Sequence, residues 1–193
     1  MKYILRLMFL LFIASIFLGY SHVDKDDKRF VDIVNAAKST LDTTHQNPFE
    51  KFKGEWLLKD NIFESSTNGK YSSDVNPNRT FIAMAVNTNS SILWSEDFDG
   101  FKVDIFWTYD LETKTVYHLS NTSSNGLASG KGMLKENGDL DIKLIYPDAC
   151  ETCIRLYSFR WKSANEFFFR ATFYKDDKPT GDFYGATFIR KKK

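Results

Sequence analysis

What this chain has little of narrows it first. Two cysteines, four prolines, ten glycines and three histidines are spread over 193 residues. A disulfide-dense scaffold, a collagen-like repeat and a proline-rich linker are therefore excluded. Charge of one sign is missing too: 26 basic residues against 25 acidic ones leave a formal +1, which offers no basic surface to nucleic acid. Beyond residue 18 no apolar run is long enough to span a bilayer. What is abundant is aromatic, with 18 Phe, 9 Tyr and 4 Trp. Large flat side chains of this kind favour the half-buried, pleated surface of a strand.

The start of the chain reads as an address. Lys2 and Arg6 precede an almost unbroken apolar run from Leu7 to Leu18, the length of a secretory core and short for a membrane span. Gly19-Tyr20-Ser21 puts small residues around a cleavage point after Ser21, so residues 1–21 are expected to be a signal peptide. Its removal takes away two bases and no acid, which brings the formal charge from +1 to −1. The mature protein is expected outside the cytoplasm, secreted or periplasmic, with no stable membrane insertion. In that oxidising compartment Cys150 and Cys153 are expected to form a local disulfide, because Tyr146-Pro147-Asp148-Ala149 before them reads as a turn rather than the helix start that redox chemistry needs.

Along the mature chain the hydrophobic period changes once. Phe30, Ile33, Val34, Ala37 and Leu41 share one helical face, so about 28–43 reads as an amphipathic helix, within a polar and helical start at 22–47. From residue 48 onward the period is two. Phe101, Val103, Ile105, Trp107 and Tyr109 alternate with polar residues, which describes a half-buried strand. Asn137-Gly138 between two alternating runs is a strong hairpin signal. Similar runs at 56–64, 80–87, 92–98, 115–120, 154–161, 166–174 and 182–190 complete a meander. No helical crossover separates them, so doubly wound and (β/α)8 enzymes are excluded. A meander this long must close or stack to hide its edges. The short loops favour closure, giving an all-β, antiparallel up-and-down barrel of about 8–10 strands with one N-terminal helix.

Two features then resemble a known group. Gly54-Glu55-Trp56 opens the first strand and Arg190 stands in the last. This is similar to the G-x-W and C-terminal basic residue of lipocalins and the wider calycin superfamily. The resemblance covers 48–193 and implies that Trp56 closes one barrel end with Arg190 stacked across it. The Trp107-x-Tyr109-Asp110-(x)3-Lys114 hairpin and the terminal Gly185-(x)4-Arg190 strand look more narrowly like a bacterial family of calycin-like barrels without assigned function. Haem-binding barrels of the nitrobindin type are also similar in architecture. They carry a longer glycine-rich opening and a late axial histidine, whereas here Leu57-Leu58 follow Trp56 and no histidine lies beyond His118. No cofactor is expected.

Candidate chemistry is sparse. His22, His45 and His118 are the only histidines, and no Ser-His-Asp order or metal-ligand spacing can be built on them. His118 alternates with Tyr117 and Leu119, so its imidazole is expected on the face opposite them, exposed or merely hydrogen-bonded. Glu96, Asp97 and Asp99 before Gly100 read as a solvated turn or a weak cation site rather than an acid–base pair. No catalytic residue and no metal ligand are expected. The aromatic strand faces carry the functional promise: Trp107, Tyr109, Tyr157, Trp161, Phe169 and Tyr184 share the inward parity of their strands and are the candidate ligand-binding residues. Their shared face encloses either a filled core or a site for one small apolar ligand. The expectation is a barrel that binds a small hydrophobic molecule. The alternative is a packed structural or protein-interaction barrel. Oligomeric state is not readable from the sequence.

Overall fold

The computed structural model describes residues 47–192 except 76–79, 86–89, 99–100, 124–125 and 147–149. The expected signal peptide and amphipathic helix lie outside the described residues. Twelve strands follow one another: β1 (Gly54–Leu58), β2 (Ile62–Thr67), β3 (Lys70–Val75), β4 (Thr80–Ala85), β5 (Ser91–Phe98), β6 (Phe101–Asp110), β7 (Thr115–Thr122), β8 (Gly126–Leu134), β9 (Leu140–Ile145), β10 (Cys153–Ser163), β11 (Glu166–Lys175) and β12 (Lys178–Arg190). Every pairing between them is antiparallel. β4 through β12 pair in sequence order, and β1 joins β4 to β12, so ten strands close into a barrel. Closure leaves the ring without an edge.

The run at 56–64, expected as one strand, is two. Asp60 and Asn61 adopt left-handed backbone, with φ of 55° and 57°, a conformation that Asp and Asn tolerate better than most residues. The chain bends there. β1 pairs the end of β12, Trp56 opposite Arg190 and Leu58 opposite Phe188, and β2 pairs its middle, Tyr184 opposite Ser65. β3 was not legible in the sequence at all: Tyr71 and Val75, its two largest apolar residues, are 61% and 70% exposed, so burial left no alternating pattern to read.

The closing contact explains the glycine of Gly54-x-Trp56. A Cβ at Gly54 would stand 2.6 Å from an Arg190 guanidinium nitrogen, at a φ of +126° that L side chains rarely adopt. With that space open, Arg190 lies 4.2 Å over the Trp56 ring and donates to the carbonyls of Lys53, Lys51 and Ala164 and to Asn165 Oδ1. One side chain thereby ties the segment entering β1, the end of β12 and the β10–β11 turn together. β8 comes close to β9 in the same way, since a Cβ at Gly132 would meet the Asp141 carbonyl at 2.1 Å.

At the β9–β10 connection Cys150 and Cys153 are joined as a disulfide, and the Cys153 amide donates to the Cys150 carbonyl at 2.8 Å. The pair therefore staples a single turn.

Candidate functional site

The barrel interior is one continuous buried cluster whose lining differs between its two ends. At the end where β1 begins, the 3-10 turn Glu50–Phe52 folds into the mouth and buries Phe52 completely enough to act as a stopper. Its ring meets those of Trp94, Trp107, Phe159, Trp161 and Phe167 at centroid distances of 4.9–5.8 Å, all edge-on. The Trp56 indole donates to the Phe52 carbonyl at 2.9 Å and fixes the turn in place. Edge-to-face contacts of this kind each add about 0.5–1.5 kcal/mol beyond the area they bury. Four residues farther along the interior the lining changes character.

Trp107 and His118 sit directly opposite each other on β6 and β7. Direct partners on antiparallel strands share a face, so the inward Trp107 carries His118 inward. His118 is fully buried, a correction to its expected exposure. Tyr117 and Leu119, whose apolar character suggested otherwise, form a separate cluster on the outer face, with Lys131 over the Tyr117 ring. The Trp107 indole N–H donates to His118 Nδ1 at 2.8 Å. Burial holds the imidazole pKa down at about 3, so the ring is neutral. Glu96, read from the sequence as part of a solvated turn, lies within β5, 6% exposed and on the parity of the buried Ile92 and Trp94.

Beyond His118 the interior is lined by tyrosines and small residues. The Tyr157 ring stands edge-on to the imidazole, 6.0 Å between centroids. Tyr157 links to Tyr146 at 3.1 Å and to Tyr184 at 2.5 Å through the hydroxyls. Burial pushes the Tyr157 phenol well up and the Tyr184 phenol up to about 12, so both of these hydroxyls stay protonated. Ala128, Ala171 and Ser120 occupy neighbouring inward positions. The half-buried Arg155 guanidinium lies 3.9 Å over the Tyr146 ring and 4.7 Å over Phe173, and it meets no carboxylate among the described residues.

The six expected ligand residues all belong to one connected core, joined through Phe159, which touches both Trp107 and Phe169, but they lie toward different ends of it. Tyr157, Phe169 and Tyr184 form one connected group, with Phe169 5.2 Å from Tyr157 and 5.9 Å from Tyr184. Trp107 and Trp161 belong to the packed half. Trp107 is held between Phe52, Trp94 and Phe159, and Trp161 is pinned at the mouth by its indole bond to the Gly138 carbonyl at 2.9 Å. Tyr109 packs half-buried against the core. Sequence reasoning missed Tyr146, Arg155 and His118. The first two carry a signal only in hindsight, since Arg155 shares the parity of Tyr157 and Phe159. A surface groove of about 590 Å³ lies against the stoppered end, between Asn47, Lys51, Leu134 and Asn137, and Lys51 bridges it to the Asn137 carbonyl at 2.9 Å.

Among the described residues no three His, Cys, Asp or Glu side chains gather as a metal site, and no helix is long and apolar enough to cross a membrane.

No protein-family model matches the chain, and no curated protein is similar to it. Among solved structures, the S-type phycobiliprotein lyase CPES from Guillardia theta aligns with a TM-score of 0.48 and 11% identity, over 75% of this chain and 91% of that one. A likeness at that level carries no functional inference, and the barrel stands on its own strand pairing.

Proposed function

We propose that the protein is an exported, calycin-like barrel that binds a small, largely apolar molecule in the tyrosine-lined half of its interior. The observation that carries this reading is Arg155. Its partly buried guanidinium stacks on Tyr146 and Phe173 and hydrogen-bonds with Tyr184, with no carboxylate against it among the described residues, so its charge is met by neutral rings and a hydroxyl rather than by an opposite charge. A guest with an apolar body and a polar or anionic end supplies what is missing. The aromatic stopper at the other end would leave a guest one way in, past Arg155, and ligand sites of this kind are mostly apolar with a few fixed polar groups.

Two fluorescent probes test the reading: phenylnaphthylamine and its anionic relative anilinonaphthalene sulfonate. Both should bind saturably with one site per chain. Arg155→Gln should weaken the sulfonate about ten-fold while leaving the uncharged probe within about two-fold, since a charge-assisted contact contributes on that order. Absence of saturable binding by either probe contradicts the reading. The export half of the proposal rests on the charged start and the Leu7–Leu18 run, and N-terminal sequencing of the exported protein should begin at His22. The narrower family membership in the bacterial calycin-like group belongs to the same proposal, supported by Gly54-x-Trp56 and Gly185-(x)4-Arg190. A packed structural barrel is the second reading, favoured by the solid aromatic half around Phe52.

A further inference from the structure

His118 is bonded through one ring nitrogen, while the other is buried without a partner among the described residues. An indole N–H can only donate, so the Trp107 bond requires a lone pair on His118 Nδ1. In a neutral imidazole the proton then resides on Nε2. That nitrogen is buried, and no acceptor among the described residues meets it. A fully buried donor without a partner is rare, because it forfeits its hydrogen bond to water without replacement. It stands at the junction of the two halves, where the packed aromatics around Trp107 end and the Tyr157 group begins.

Resting on the binding role proposed above, we infer that the Trp107–His118 pair is a fixed N–H donor that selects guests carrying an oxygen acceptor at their inner end, and that it is not a metal or haem ligand. The tautomer carries both parts. A ligand to a metal or haem iron would need the Nε2 lone pair, which the Trp107 bond assigns to a proton by occupying the other nitrogen. A carbonyl or carboxylate oxygen meets the same nitrogen without any change of protonation. The guest class is therefore a small molecule with an apolar, ring-sized body ending in a carbonyl or carboxylate. Arg155 at the entrance engages the other end of such a guest, or its second polar group, and His118 sets which end goes in first.

A matched pair of probes separates this from simple apolar filling: naphthyl methyl ketone and ethylnaphthalene, nearly the same shape, one with an acceptor and one without. Calorimetric titration of the full mature chain should show the ketone binding about ten-fold tighter, the scale of one buried hydrogen bond. In His118→Phe the preference should vanish while the hydrocarbon still binds. Equal binding of both probes to the unaltered protein overturns the donor role and leaves the barrel a binder. Binding of neither overturns the binding reading itself, and this inference with it. Because His118→Phe exchanges a buried polar ring for an apolar one and can disturb folding, imidazole nitrogen NMR on the unaltered protein gives an independent reading. It should show Nε2 protonated and Nδ1 accepting, and the Nε2 proton should shift when the ketone is added. A proton on Nδ1, or a haem spectrum that depends on His118, overturns the inference.

Discussion

An imidazole that is neutral and buried in the fold but free to charge in the unfolded chain makes stability depend on pH at the level of one residue. The His118 pKa falls from 6.5 to about 3 on folding. Between those values the unfolded chain binds a proton that the folded chain refuses, so stability is full above pH 6.5 and is lost as pH falls toward 3. The slope is about 1.4 kcal/mol per pH unit where the window is fully open. Denaturant unfolding at a series of pH values should show this decline beginning well above the range in which carboxylates protonate. A His118→Gln protein should lose that part of the slope, and an unchanged slope would contradict the buried, neutral state. The same residue marks the limit of what was legible. Trp107 was placed inward by the parity of Phe101 to Tyr109, and correctly so. His118 was placed outward because Tyr117 and Leu119 are more apolar than Val116, His118 and Ser120. Composition pointed one way and cross-strand register the other, and register, which a single strand does not reveal, decided it.

At the scale of the element, β6, β9, β10 and β11 are legible from one strongly apolar or aromatic face, as in the alternating burial along Leu140–Ile145, whereas β7 is legible as a strand but not in the face it buries. β3 and the bend at Lys59–Asn61 were not. β3 lies outside the ten-strand ring, paired only to β2, and an element that buries little has no reason to encode a pattern. The bend is written in Asp60-Asn61, a turn-prone pair that the flanking apolar residues Leu57, Leu58, Ile62 and Phe63 obscured. The Cys150–Cys153 staple closes a loop of four residues inside one turn, so the conformational freedom it removes from the unfolded chain is small, worth about 2 kcal/mol at most. A Cys150→Ser, Cys153→Ser double variant should keep its fold and lose only a few degrees of melting temperature. A collapse of cooperative unfolding would show that the connection organises β9 and β10 rather than merely joining them.

For the whole molecule, the division of the interior decides what each aromatic residue does. Trp107 is enclosed by Phe49, Phe52, Trp94 and Phe159, and it also holds His118. Trp107→Ala should therefore cost about 3–5 kcal/mol in denaturant unfolding, as truncations of large buried side chains do. A cost below about 1 kcal/mol would place Trp107 outside the packed half. Tyr157, Phe169 and Tyr184 belong to the other half, where the same chain of reasoning expects an occupant instead of a stopper.

The central claim, that the tyrosine-lined half receives a small molecule, is tested most directly by native mass spectrometry of the protein purified from its own compartment. The spectrum should show a population heavier than the mature chain by one small organic molecule, released on denaturation and bearing a carbonyl or carboxylate group. A single species at the bare mass of residues 22–193, which also fails to take up either naphthyl probe when it is added in excess, would contradict it.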